Sequence, residues 1–113
     1  MARYTLTLRV SGKVTHEHFG ELGAALRALE QRGHTLQGEA DAEAVGGTLV
    51  RRYEPQDQVT ARLEISGPRR LRGGVDVRGD GTAVPFTGRL LRRPVEKHGS
   101  ESAYAALRRA LGD

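Results

Sequence analysis

The sequence predicts an α+β fold: an antiparallel sheet of four to five strands with two amphipathic helices packed on one face, in the order strand, helix, strands, helix. Three observations lead there. Strict apolar–polar alternation recurs at Tyr4–Val10, Val59–Ser66 and Val75–Arg78, and a period of two marks a half-buried strand. Two other stretches, one early and one at the end, carry Leu and Ala at helical spacing. An Asp-Gly step, Asp80-Gly81, stands between two alternating runs, a strong short-range signal of a hairpin. Two helices with one apolar stripe each need a common surface to bury, and a sheet with one apolar face supplies it.

The elements follow in order. Tyr4, Leu6, Leu8 and Val10 alternate with Arg3, Thr5, Thr7 and Arg9 as a first strand, and Ser11-Gly12-Lys13 turns the chain. Thr15 has the hydroxyl of a helix N-cap, and Phe19, Leu22, Leu26 and Leu29 share a stripe beside Ala25. The spacing predicts a helix over 15–32, with Gly33 as its left-handed stop. Residues 34–47 fit a small-residue edge strand, a short helix or an acidic loop, and Gly46-Gly47 breaks whichever forms. Thr48–Glu54 resumes strand character before Pro55, and Val59–Ser66 is a clear strand closed by Gly67-Pro68. Val75 and Val77 lead into the turn at Arg78–Thr82, Val84 and Phe86 return, and Gly88 marks a bulge before Arg89–Arg93. Ser100 is expected to cap a last helix with Ala103, Tyr104, Leu107 and Leu111 on one face and Gly112 just beyond.

The 113 residues suit one compact domain over 1–113. With no Cys, disulfide scaffolds and thiol chemistry are excluded. No apolar run approaches a membrane span and no signal pattern opens the sequence, so a cytoplasmic location without membrane partners is expected. The formal charge is +4, from 18 Lys plus Arg against 14 Asp plus Glu, and 16 of the basic residues are Arg, the better bidentate partner for phosphate. The excess is local. Residues 51–93 hold ten Arg against five carboxylates, a balance of +5, while the segments on either side are at −1 and zero.

That distribution makes a polyanion, RNA or DNA above all, the expected partner. Arg69, Arg70, Arg72, Arg92 and Arg93 would make one basic edge if the turn at 69–72 lies near 92–93. Arg51, Arg52 and Tyr53 form a second, weaker cluster, with Tyr53 the aromatic that could stack on a base. The opposing expectation is a checkerboard of cross-strand ion pairs among Arg62, Glu64, Asp76, Arg78 and Arg89, which would bind nothing. A third possibility is a homo-oligomer, pairing the acidic run Glu39, Asp41 and Glu43 with the basic edge.

Catalysis finds little support. Ser11, Ser66, Ser100 and Ser102 sit at turns or caps without a nucleophile elbow, and Gly79-Asp80-Gly81 precedes a strand, unlike a phosphate loop. A small enzyme would need a pocket between helices and sheet, and no cofactor is implied. His16-Glu17-His18, read as part of a helix, diverges by about 200° between the two imidazoles, so no metal site is expected there. Arg78-Gly79-Asp80 is explained by a hairpin tip. The order helix, strands, helix from Thr15 to Leu111 is also that of double-stranded-RNA-binding domains. Ser100, Glu101 and Ser102 stand where that module carries Lys, so no family is assigned.

Overall fold

The computed structural model describes residues 3–45, 59–88 and 91–113. Chain order is β1 (Tyr4–Val10), β2 (Lys13–Phe19), α1 (Leu22–Val45), β3 (Val59–Ser66), a 3₁₀ turn (Pro68–Arg70), β4 (Arg72–Arg78), β5 (Ala83–Thr87), β6 (Arg93–Pro94) and α2 (Ala103–Leu111). The strands make one six-stranded antiparallel sheet ordered β2-β1-β3-β4-β5-β6. The fold is α+β with two helices, as the sequence predicts. The strand count is six, not four to five, and a hairpin precedes the first helix where a single strand was expected.

Residues 15–19 are the source of that difference. They continue β2, so Thr15 caps no helix. Ser11 (φ 50) and Gly12 (φ 81) make a two-residue turn with both central residues left-handed, the geometry whose twist matches two antiparallel strands. Once Val10 faces Lys13, the ladder runs to Tyr4 opposite Phe19. The hairpin wins over the helical stripe because Val14, Thr15 and Phe19 suit a pleated surface at least as well as a helix.

Both helices cover one face of the sheet. Leu6, Leu63, Ile65, Val75 and Val77 meet Ala25, Leu26 and Leu29 of α1 and Ala103, Tyr104 and Leu107 of α2 in a single apolar cluster. Each large side chain in it contributes about 1.5–3 kcal/mol by leaving water. Arg32 of α1 donates two hydrogen bonds to Glu17 of β2, at 2.9 and 2.6 Å, and ties that helix to the edge strand.

Gly33 does not stop α1, which runs on through residues left open by the sequence, 34–45. Its role is close approach. A Cβ at Gly33 would lie 2.6 Å from Tyr104 Cε1, so glycine makes room for the ring where the two helices meet. Tyr104 donates to Gln37 Oε1, and Gln37 Nε2 donates to Gly81 O at 2.9 Å, linking both helices to the β4–β5 hairpin tip. Burial pushes the Tyr104 phenol up to about 12 from its ordinary 10.0, with the charge of Glu30 adding to the effect.

The hairpin signal at Asp80-Gly81 holds. Asp80 accepts from Thr82 N at 3.0 Å and Thr82 Oγ1 at 2.7 Å, and Gly81 takes φ 85. Helix α2 is capped by Ser102, which accepts from Ala105 N at 3.1 Å, two residues beyond the expected Ser100. Its buried face and the left-handed Gly112 (φ 83) are as expected. The strand expected at 48–54 lies outside the described residues.

Candidate anion-binding groove

Antiparallel pairing brings together one end of five strands. Tyr4 faces Phe19, Thr5 faces Ser66, Ser66 faces Arg72, and Gly73 faces Thr87. The start of β1, the β3–β4 loop, the start of α1 and the end of α2 therefore surround one groove. It has a volume of about 710 Å³ and is lined by Arg3, Arg69, Arg70 and Arg72 together with Tyr4, Leu22, Pro68 and Leu111. No carboxylate is among its lining residues.

The β3–β4 loop is built to present its arginines. Gly67 N donates to Leu71 O at 3.0 Å and Leu71 N to Pro68 O at 3.2 Å, closing a tight loop. Glycine is needed at 67 because a Cβ there would lie 2.5 Å from Tyr4 Cδ1. Pro68 starts the 3₁₀ turn, and Arg69 (φ 59, ψ 35) and Arg70 (φ 60) then both adopt the left-handed conformation. For a side chain with a Cβ that conformation costs roughly 1–2 kcal/mol per residue. Both side chains are exposed. Among the described residues, neither they nor Arg3 have an ion-pair partner. Such strain in two successive arginines, neither held by an ion pair among the described residues, is of the kind that accumulates at functional sites.

The opposite face of the sheet is different. Arg62 donates to both carboxylate oxygens of Asp76, at 2.6 and 3.0 Å, which raises the guanidinium pKa above its ordinary value. Arg72 and Arg92 approach the same oxygen of Glu64 at 3.6 and 3.9 Å. That oxygen, Oε2, is buried and has no hydrogen-bond partner among the described residues. Phe86, on this face, lies over Gly74, where a Cβ would be 2.9 Å from its Cζ. The guanidiniums of Arg62 and Arg92 each sit 5.6 Å from the ring centroid, so the ring is covered by cations.

The structure thus divides the arginines named from the sequence. Arg69, Arg70 and Arg72 share the groove. Arg72 also meets Arg92 on Glu64, making it the corner between groove and face. Arg93 pairs across strands with Thr87, near the end of the sheet. Arg51, Arg52 and Tyr53 lie outside the described residues. Two lining residues, Arg3 and Tyr4, were missed. The dipeptide opens the first strand, and only the pairing of that strand with β3 shows that it faces the 69–72 loop.

The chain matches no protein-family model, no curated protein and no solved structure. Among the described residues no helix is long and apolar enough to cross a membrane.

Proposed function

We propose that this is a binding domain whose groove takes a polyanion, with RNA or DNA the class that fits best. One observation supports the reading above the others: Arg3, Arg69 and Arg70, without carboxylate partners among the described residues, converge with Arg72 on a groove lined by no acid. Exposed guanidiniums in that arrangement suit phosphates, which accept two parallel hydrogen bonds from the planar fork. Arg69 and Arg70 would hold phosphates, Arg3 and Arg72 would flank them, and Arg92 and Arg93 would extend the track to the start of β6. Tyr4 is the one aromatic in the lining, so stacking contributes little and sequence preference should be weak.

The test is binding of a labelled single-stranded oligonucleotide across a salt series. If about three phosphates are engaged, log K falls against log salt with a slope near −2, and Arg69→Ala and Arg70→Ala each make it shallower by about 0.7. Absence of binding at low salt, or a slope unmoved by both variants, overturns the reading.

A second reading is a self-associating module, favoured by β2. Among the described residues that seven-residue strand is an edge of the sheet, with Val14 46% exposed, and an exposed edge strand is a template for pairing with another chain. The oligomeric interface expected from the sequence, at Glu39–Glu43, falls within α1 instead. A mass that rises with concentration in light scattering, and no longer does so in Val14→Lys, supports this reading; a constant mass removes it.

A further inference from the structure

The placement of His16 and His18 in β2, and not in a helix, reverses what their spacing means. Residues two apart diverge around a helix but project from the same face of a strand, about 7 Å apart at their bases. The residue between them points the other way: Glu17 is held by Arg32 on the helix-covered face. Both imidazoles therefore stand on the face that neither helix covers, on the outermost strand of the sheet, and both are exposed.

Each ring is oriented by the neighbouring strand. Thr7 faces His16 and Thr5 faces His18 in the β1–β2 register. Their hydroxyls lie 3.0 Å from His16 Nδ1 and 3.2 Å from His18 Nδ1. With Nδ1 engaged in both rings, Nε2 is the nitrogen left to bind, and no described residue bonds to either one. A polar partner on the far nitrogen is the device that fixes tautomer and ring orientation in metal-binding histidines.

We propose that His16 and His18 form a two-imidazole site for a borderline divalent cation, of the Cu²⁺, Ni²⁺ and Zn²⁺ class, bound through both Nε2 atoms. Imidazole suits these ions and not the hard Mg²⁺ or Ca²⁺. With bases about 7 Å apart on one face, the two imidazoles bind one ion at about 2.0–2.1 Å per nitrogen by tilting toward each other about their Nδ1 hydrogen bonds. Among the described residues no group of three or more His, Asp or Glu surrounds a common point, so water completes the coordination shell. The site is open and exchangeable, and it lies on the open face of the outermost described strand, whereas the arginine groove lies at the end of the sheet.

The experiment uses the full chain without an affinity tag. Calorimetric titration with Ni²⁺, Cu²⁺, Zn²⁺ and Mg²⁺ should give one site per chain, with Cu²⁺ tightest and Mg²⁺ silent. His16→Gln and His18→Gln should each abolish Ni²⁺ binding, while His98→Gln, at another exposed histidine, leaves it intact. Thr5→Val and Thr7→Val keep both ligands and lose the orienting hydroxyls, so affinity should fall by about 10–100-fold. A second measurement needs no variant: a trace of paramagnetic Cu²⁺ should broaden the ring resonances of His16 and His18 before those of His34 and His98. Equal broadening of all four, or Ni²⁺ binding that survives both His→Gln variants, overturns the proposal.

Discussion

Replacing Arg70 by glycine separates the charge of the β3–β4 loop from its strain. Arg70 holds φ 60 and Arg69 φ 59, and a residue with a Cβ pays roughly 1–2 kcal/mol to be left-handed. Glycine adopts the same backbone freely but gives the unfolded chain more freedom, which returns about 0.4–1 kcal/mol. The exposed Arg70 side chain has no ion-pair partner among the described residues, so the substitution breaks no described ion pair. Arg70→Gly should therefore leave stability unchanged or raise it by up to about 1.5 kcal/mol, while oligonucleotide binding weakens and its salt slope flattens by about 0.7. Arg70→Ala is the control, losing the charge and keeping the strain: binding falls equally and stability gains nothing. Urea unfolding followed by circular dichroism reads the first quantity and fluorescence anisotropy the second. A loss of more than about 1 kcal/mol on Arg70→Gly would show that the side chain holds the loop together. The strain would then have no functional meaning.

Other consequences are open to measurement. Gly33→Ala improves helix propensity by about 1 kcal/mol but drives a methyl into Tyr104, an overpacking cost of about 1–3 kcal/mol. It should destabilise the native chain and become neutral or stabilising when Tyr104→Leu opens the space, so a double-mutant cycle that adds without coupling is the contrary result. Glu101, held at about 2 against an ordinary 4.5 by its hydrogen bonds from Arg109 and the His98 amide, contributes stability present above pH 4.5 and lost as pH falls through about 2. In Glu101→Gln the drop in denaturation midpoint over that range should be smaller than in the parent chain. Glu64→Gln removes the counter-charge shared by Arg72 and Arg92, and the freed Arg72 should tighten polyanion binding and steepen its salt slope. Weaker binding in a variant that still folds would mean that Glu64 positions Arg72 for the ligand.

Several elements are settled by one local signal each. Alternation placed β1, β3 and β4, the Asp80-Gly81 turn placed the hairpin, and the Ala103, Tyr104, Leu107 stripe placed α2. Two rules competed at residues 11–19: Ser11-Gly12 favoured a hairpin and the Phe19–Leu29 stripe a helix. The helical stripe begins only at Leu22, and Phe19, at the same spacing, belongs to β2. Gly33 was misread because a glycine at a helix stop and a glycine under an aromatic ring look the same until Tyr104 arrives from 71 residues further along. The groove was half legible. Arg69, Arg70 and Arg72 are contiguous in sequence and stay together, whereas Arg3 and Tyr4 join them only through the β1–β3 ladder. Of the expected checkerboard, Arg62 pairs with Asp76, Arg78 has no ion pair among the described residues, Glu64 is approached by Arg72 and Arg92 instead, and Arg89 lies outside the described residues.

Arginine side-chain NMR gives the most direct view of the groove at work. On addition of a short oligonucleotide, the Nε–Hε resonances of Arg3, Arg69 and Arg70 should shift together and saturate at one concentration, with Arg72 following as it leaves Glu64. Arg62 and Arg32, already committed to Asp76 and Glu17, should stay in place. Shifts confined to arginines outside the groove, or none at low salt, would contradict a polyanion site at the end of this sheet.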